Sequence, residues 1–182
     1  MLLALAVLAF VPMLLEARRA AHHDRRLRAA GAAEPAGDVY RLMQVAYPAC
    51  FLAMIGEAWL RGSGTGAAFT MGLATFSAAK GLKYWAIATL GTRWTFRVLV
   101  PPGSSRIVAG PYRWLRHPNY VAVVGELVGF ALTAHAPFAG VTAVAGFSTL
   151  ILARIRIEER ALTPRDGMGS EGTKATEPES VG

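Results

Sequence analysis

Five long apolar blocks, each ended by basic residues or by glycine and proline, constrain this chain more than any other feature. They run over residues 1–15, 42–60, 67–90, 119–133 and 137–153. None alternates apolar and polar positions as a half-buried strand would, and their length predicts helices. Several are shorter than the ~20 residues that fill a bilayer core, so snorkelling side chains or local thinning must complete a crossing. The third block is also interrupted by Lys80 and Lys83, which we expect to snorkel toward the membrane boundary, a cofactor-facing Lys83 being the alternative. Composition points the same way: 53% of the 182 residues are hydrophobic and 17% charged, too few charges to cover a soluble domain.

The basic residues give an independent reading of topology, because loops that stay in the cytoplasm accumulate lysine and arginine. Arg18, Arg19, Arg25, Arg26, Arg28 and Arg41 flank the first connection, and Lys80, Lys83, Arg93, Arg97, Arg106, Arg113 and Arg116 surround the third. Arg154, Arg156, Arg160, Arg165 and Lys174 follow the last block, leaving Arg61 alone in the second connection. Five transmembrane helices, with the N-terminus outside and the C-terminus cytoplasmic, put all but Arg61 on one side. The expected fold is therefore an all-α integral membrane protein, and the expected location is a bacterial cytoplasmic membrane.

The net charge of +7 does not read as a nucleic-acid footprint, since no basic helix with interleaved aromatics stands apart from the apolar blocks. Cys50 is the single cysteine, so there is neither a disulfide framework nor a cysteine-rich metal site. His22 and His23 have no cysteine or histidine at ligand spacing, and no metal is expected. The first block lacks a positively charged start, and Glu16-Ala17-Arg18-Arg19 is a poor cleavage site, so we expect it to be retained rather than removed as a signal peptide. The Gly62–Gly66 and His135–Pro137 connections read as tight helical hairpins. The 164–182 tail is rich in Gly, Ser, Glu, Thr and Pro and is expected to be disordered.

Between Gly91 and Tyr120 the sequence is too specific for a linker. It holds Arg93 and Trp94, a β-prone run over 96–100, the breakers Pro101, Pro102 and Gly103, and then Gly110-Pro111-Tyr112-Arg113-Trp114-Leu115-Arg116-His117-Pro118-Asn119-Tyr120. Pro118 suits the first turn of the fourth helix, which leaves Arg116 and His117 at its N-terminus, where free N–H groups and the helix dipole favour an anionic group. A second constellation follows the last block. Arg154 and Glu158 are four residues apart and share a helix face, setting a cation and a carboxylate together at the membrane boundary. As topology signals alone, these residues would be positive-inside anchors and a solvated helix end.

Together the runs Leu90-Gly91-Thr92-Arg93-Trp94-Thr95, Gly110 through Tyr120 and Glu158-Glu159-Arg160-Ala161-Leu162 resemble the isoprenylcysteine carboxyl methyltransferase family, over about residues 75 to 164. The resemblance implies a membrane methyltransferase domain over 1–163 that uses S-adenosyl-L-methionine and takes a lipophilic or lipidated acceptor from the bilayer. It implies a cofactor pocket at the cytoplasmic face lined by His117, Pro118, Tyr120, Glu158 and Glu159, with Tyr112 and Arg116 of the same run. Arg154 resembles the arginine that helps orient the acceptor, and the reaction implied is methyl transfer to a carboxylate or hydroxyl oxygen. The wider group includes phospholipid N-methyltransferases and enzymes that methylate lipidic phenols, so N-methylation of a phospholipid amine is the alternative within the enzyme class. A non-enzymatic multi-span membrane protein is the alternative outside it. No Gly-x-Gly-x-x-Gly follows a predicted strand, which leaves a soluble Rossmann-type methyltransferase unsupported. The chain departs from the family after the paired glutamates: many members continue with Phe-Gly and two tyrosines, whereas this one runs Thr163-Pro164-Arg165-Asp166-Gly167.

Four further residues carry expectations. Glu126, midway along the fourth block, is costly in hydrocarbon and is a catalytic candidate on that ground, against a hydrogen-bonded helix contact. Glu57 is expected to snorkel or to meet Arg61. Trp85 and Trp94 are expected to anchor at the membrane interface rather than to stack on a cofactor.

Overall fold

A computed structural model describes residues 1–32, 39–62, 64–97, 99 and 107–162, with backbone alone at 158–162. Five α-helices account for most of it: α1 Leu2–Ala29, α2 Tyr40–Arg61, α3 Ala67–Leu90, α4 Pro118–Ala134 and α5 Pro137–Leu162. Short 3₁₀ turns at Gly91–Arg93 and Gly110–Arg113 lie between α3 and α4. No strand occurs among the described residues, and in the β-prone run the chain bends at Phe96 and Arg97, where the Thr95 hydroxyl donates to the Arg97 carbonyl at 2.6 Å. Positions 98 and 100–106 lie outside the described residues, as does the 164–182 tail.

The apolar blocks become helices, but two helices outrun their blocks. α1 continues through Arg18, Arg19, Arg25, Arg26 and Arg28 to Ala29, and α5 continues past Arg154 to Leu162. The basic clusters lie on helical extensions because Arg and Lys are good helix formers, so nothing in those runs stops a helix. The stops fall where expected. Gly62 (φ 77°) ends α2, and His135 in the left-handed conformation (φ 53°) ends α4.

Contacts between elements fix the topology. Glu57 near the end of α2 meets the start of α5, and Met43 near the start of α2 meets Arg154 near the end of α5, so those two helices are antiparallel. α3 and α4 are antiparallel as well, with Gly72 against Thr133 and Ala79 against Gly125. α1 runs parallel to α3, Glu16 meeting Lys80 and Lys83 while His23 meets Trp94. The result is an up-and-down bundle in which His23, Met43, Trp94, Phe96, His117 and Arg154 gather at one end.

The α3–α4 seam is the closest in the bundle because glycines form it. A Cβ on Gly72 would lie 2.6 Å from Thr133 Oγ1 and 2.7 Å from the Gly129 carbonyl; one on Gly129 would lie 2.8 Å from Phe76 Cα and 2.9 Å from the Gly72 carbonyl. Small residues at such a crossing let backbones approach and gain dispersion contacts. Around this seam an apolar core forms from Phe51 and Met54 of α2, Phe76 of α3, Leu127 and Phe130 of α4, and Phe147 and Ile151 of α5. Phe51 and Phe130 meet edge to face at 4.8 Å between centroids. Outside the core, Leu3, Val7, Leu14, Leu52, Trp59, Met71, Val121, Phe138, Val141 and Leu152 are exposed, an apolar exterior suited to lipid contact. Among the described residues one helix, over Pro137–Ile157, is long and apolar enough to cross a bilayer by itself, with 21 residues and a mean hydropathy of 1.7; α4 is apolar but shorter.

Candidate active site

The loop before α4 is positioned by two constraints. Gly110 sits at φ 52°, and a Cβ there would come within 3.1 Å of Thr89 Cγ2 and 3.2 Å of Trp85 Nε1, so the chain can lie directly against the end of α3 only as glycine. Pro111 and Pro118 are both fully buried and bracket the exposed run Arg113–Arg116, with Trp114 tilted over Trp85 at 5.7 Å between centroids. Pro118 is the first residue of α4, as the sequence predicts, and His117 is its N-cap without a side-chain capping bond. The His117 and Tyr120 rings stack at 5.5 Å with 25° between their planes. Beside them the Asn119 side-chain oxygen is buried and has no hydrogen-bond partner among the described residues.

The structure therefore brings together His117, Pro118 and Tyr120 as one unit at the N-terminus of α4, with Tyr112 half-buried and Arg116 exposed just before it. Arg154 comes to the same end from α5. Its guanidinium is buried, Nη2 donating to the Phe96 carbonyl and Nη1 standing 3.8 Å from Met43 Sδ, so it ties the 94–97 segment to the bundle. α5 remains helical through Glu158 and Glu159, which puts Glu158 one turn beyond Arg154; the two glutamate side chains lie outside the described residues.

Deeper in the bundle a second polar group is enclosed. Lys80 Nζ lies 2.8 Å from Glu16 Oε1 and 3.0 Å from Glu126 Oε2, and Lys83 Nζ lies 2.8 Å from Glu16 Oε2 and 3.1 Å from Glu126 Oε1. The four charges alternate around a ring and cancel locally. The Tyr47 hydroxyl of α2 donates to Glu126 as well. This corrects the expectation that the lysines snorkel. Both are buried and turned inward, because two carboxylates in the bundle offer them partners that the membrane boundary would not. Sequence reasoning singled out Glu126 but not Glu16 or Tyr47. The available signal was charge balance: Lys80, Lys83 and Glu126 lie in otherwise apolar stretches, and Glu16 directly follows one.

One smaller expectation is revised and another is extended. Trp94 is buried rather than interfacial, and its carbonyl bonds His23 Nδ1 at 2.8 Å. His23 is thus a strut between α1 and the loop after α3. Glu57 lies 3.6 Å from Arg61 as foreseen, but also accepts the backbone N–H of Phe138 at 3.3 Å and of Ala139 at 2.6 Å, capping α5 from a neighbouring helix.

The sequence model of the isoprenylcysteine carboxyl methyltransferase (ICMT) family matches residues 71–164, which span most of α3, the His117 loop, α4 and α5. The chain belongs to the ICMT family. Membership supports a membrane methyltransferase. Two curated relatives align with most of this ICMT-family chain: the uncharacterized protein YpbQ of Bacillus subtilis (strain 168), 28% identical over 144 residues, 79% of this chain and 85% of that protein; and an uncharacterized protein of Haemophilus influenzae (strain ATCC 51907 / DSM 11121 / KW20 / Rd), 25% identical over 142 residues, 78% of this chain and 83% of that protein. No solved structure matches. The ICMT match covers Lys80, Lys83 and Glu126 of the buried ring, while Glu16 and Tyr47 lie before it.

Proposed function

We propose that this chain is an integral membrane methyltransferase that uses S-adenosyl-L-methionine to methylate a carboxylate or hydroxyl oxygen of a lipophilic acceptor. In this reading five helices cross the bilayer, with the N-terminus outside and the His117 end in the cytoplasm. The up-and-down order of the bundle and the grouping of basic residues near one end support that orientation.

One observation carries the cofactor assignment: a stacked His117–Tyr120 pair at a helix N-terminus, beside a buried Asn119 oxygen that has no hydrogen-bond partner among the described residues. The donor set fits an amino acid head group. The backbone N–H of Asn119 and the dipole of α4 suit a carboxylate, and the Asn119 oxygen suits an ammonium. His117 and Tyr120 would hold the cofactor with Pro118, Tyr112, Arg116, Glu158 and Glu159. Bound there, S-adenosyl-L-methionine supplies an electrophilic methyl carbon for in-line displacement. The protein's part is geometry: it excludes water from the bundle interior and holds an acceptor oxygen in line. Arg154, buried at the same end and linked to Phe96, is a positioning group for that acceptor. Glu126 is engaged by Tyr47 and two ammonium groups, which supports a role as counter-ion rather than as a base open to the acceptor's proton.

Calorimetric titration of the detergent-purified protein with S-adenosylhomocysteine tests the reading. Saturable binding that is lost in His117→Ala, Asn119→Ala and Glu159→Ala, with thermal stability unchanged, is expected. Absence of binding to the folded wild type at millimolar ligand would remove the enzymatic reading and leave a multi-span membrane protein. Given binding, product analysis separates an ester or methyl ether from the N-methylated phospholipid amine of the alternative.

A further inference from the structure

The two seams flanking α3 differ in kind. On one side α3 meets α4 backbone to backbone through Gly72, Gly125 and Gly129, an arrangement that cannot part without losing its packing. On the other side α3 is joined to α1 by the apolar cluster of Ala20, Ile87 and Trp94 at one end and, in the middle, by the carboxylate of Glu16 reaching two lysines. Long Glu and Lys side chains can separate by rotamer changes. A polar bridge within an otherwise apolar seam is therefore the place where this bundle opens most readily.

The lysine pair also stands at a useful depth. Ala79 faces Gly125 and Phe76 faces Gly129, so in this antiparallel register Lys83 is level with Val121 and Ala122, and Lys80 with Val124 and Gly125. These levels are about one and two helical turns, roughly 5 to 10 Å, deeper than Pro118. An anionic oxygen held by Lys80 and Lys83 would thus lie one to two turns below the N-terminus of α4, within the span of a cofactor whose head group is seated there. Glu126 and Tyr47 come from the far side and stay fixed in the bundle, whereas Glu16 comes from the α1 seam.

Resting on the reading above, we propose that Lys80 and Lys83 form the acceptor's head-group site, that it takes lipophilic molecules ending in an ionised oxygen, and that Glu16 is an internal stand-in displaced when such a molecule enters from the bilayer between α1 and α3. The charge balance explains the choice of ligand. With Glu16 withdrawn, two ammonium groups face one carboxylate, and a single incoming anion restores neutrality; a neutral or cationic head group does not. The hydrocarbon tail of such a molecule remains in the lipid outside the seam.

The test uses the full chain in phosphatidylcholine nanodiscs. Its probes are a nitroxide-labelled stearic acid, at a pH where the acid is ionised, and the corresponding methyl ester; the readout is the immobilised fraction by electron paramagnetic resonance. Glu16→Gln removes the competing charge and is expected to strengthen acid binding by about tenfold or more while leaving the ester unchanged. Lys80→Met is expected to erase the preference for acid over ester. Equal effects on acid and ester, or no effect of Glu16→Gln on the acid, would overturn the proposal. A second variant leaves the ring intact: Ala20→Cys with Ile87→Cys in a Cys50→Ser background, bridged through two disulfides by a short bis-methanethiosulfonate cross-linker. Closing the seam is expected to block acid uptake until reductant is added, and undiminished uptake with the seam bridged would refute lateral access there. S-adenosylhomocysteine titration of the same samples separates the two levels. Retained cofactor binding with no acid preference sinks the head-group site alone, whereas acid preference without cofactor binding sinks the methyltransferase reading alone.

Discussion

Replacing Lys83 by methionine tests the buried ring most directly. Methionine preserves the length and most of the volume of the side chain, so the substitution removes charge with little cavity. In the wild type the Lys83 ammonium lies 2.8 Å from Glu16 Oε2 and 3.1 Å from Glu126 Oε1, and its side chain is 3% exposed. Without it, two carboxylates share Lys80 alone and the enclosed cluster carries a net negative charge. Breaking one partner of a buried ion pair costs roughly 3–5 kcal/mol, because the remaining charge stays desolvated. At about 2–4 °C per kcal/mol for a chain of this size, the unfolding midpoint should fall on the order of 10 °C. Adding Glu126→Gln to Lys83→Met leaves the neutral pair Glu16–Lys80 and keeps a carbonyl acceptor for Tyr47. The double variant is therefore expected to recover much of the loss, a coupling of about 2–3 kcal/mol. Thermal unfolding in detergent, followed by intrinsic fluorescence of the wild type, the two single variants and the double variant, completes the cycle. A Lys83→Met midpoint within a degree or two of wild type, or strictly additive single effects, would refute the closed ring and return Lys83 to a snorkelling role.

Other consequences follow from packing and capping. Gly129→Ala places a methyl group 2.8 Å from Phe76 Cα and against the Phe76 amide nitrogen, where only backbone can yield, so overpacking of about 1–3 kcal/mol or more is expected; Gly81→Ala, with nothing within 4 Å, should be neutral or stabilising by up to ~1 kcal/mol in the same thermal assay. Glu57→Ala removes the acceptor for two amides at the start of α5 and should cost about 1 kcal/mol, with Glu57→Gln retaining part of it. Arg154→Lys keeps a cation but not the planar fork that reaches both Phe96 and Met43; faster limited trypsinolysis at Arg93 and Arg97 is expected, and an unchanged digestion rate would count against Arg154 as the tie for that segment.

How much of this was legible in the sequence depends on the range of the interaction. The helices were readable because apolar runs ended by Gly62, Gly66, Gly91 and Pro137 are local signals, and α3 begins and ends where its block does. The His117–Tyr120 unit was readable for the same reason: proline in the first helical turn fixes the geometry of the residues beside it. Asn119, inside that unit, drew no separate attention, because only burial reveals that its oxygen has no partner among the described residues. The ring was not locally encoded at all. Lys80 taken with its own helix is a residue that should snorkel, and Glu16 taken with its own helix borders an arginine cluster. Their pairing spans 64 positions along the chain and depends on α1 running parallel to α3 in one register. Charges enclosed in an apolar bundle must nevertheless be compensated by one another, since neither lipid nor water is available to do it. Glu16 and Glu126 against Lys80 and Lys83 satisfy that requirement, which turns four unfavourable residues into evidence for which helices meet.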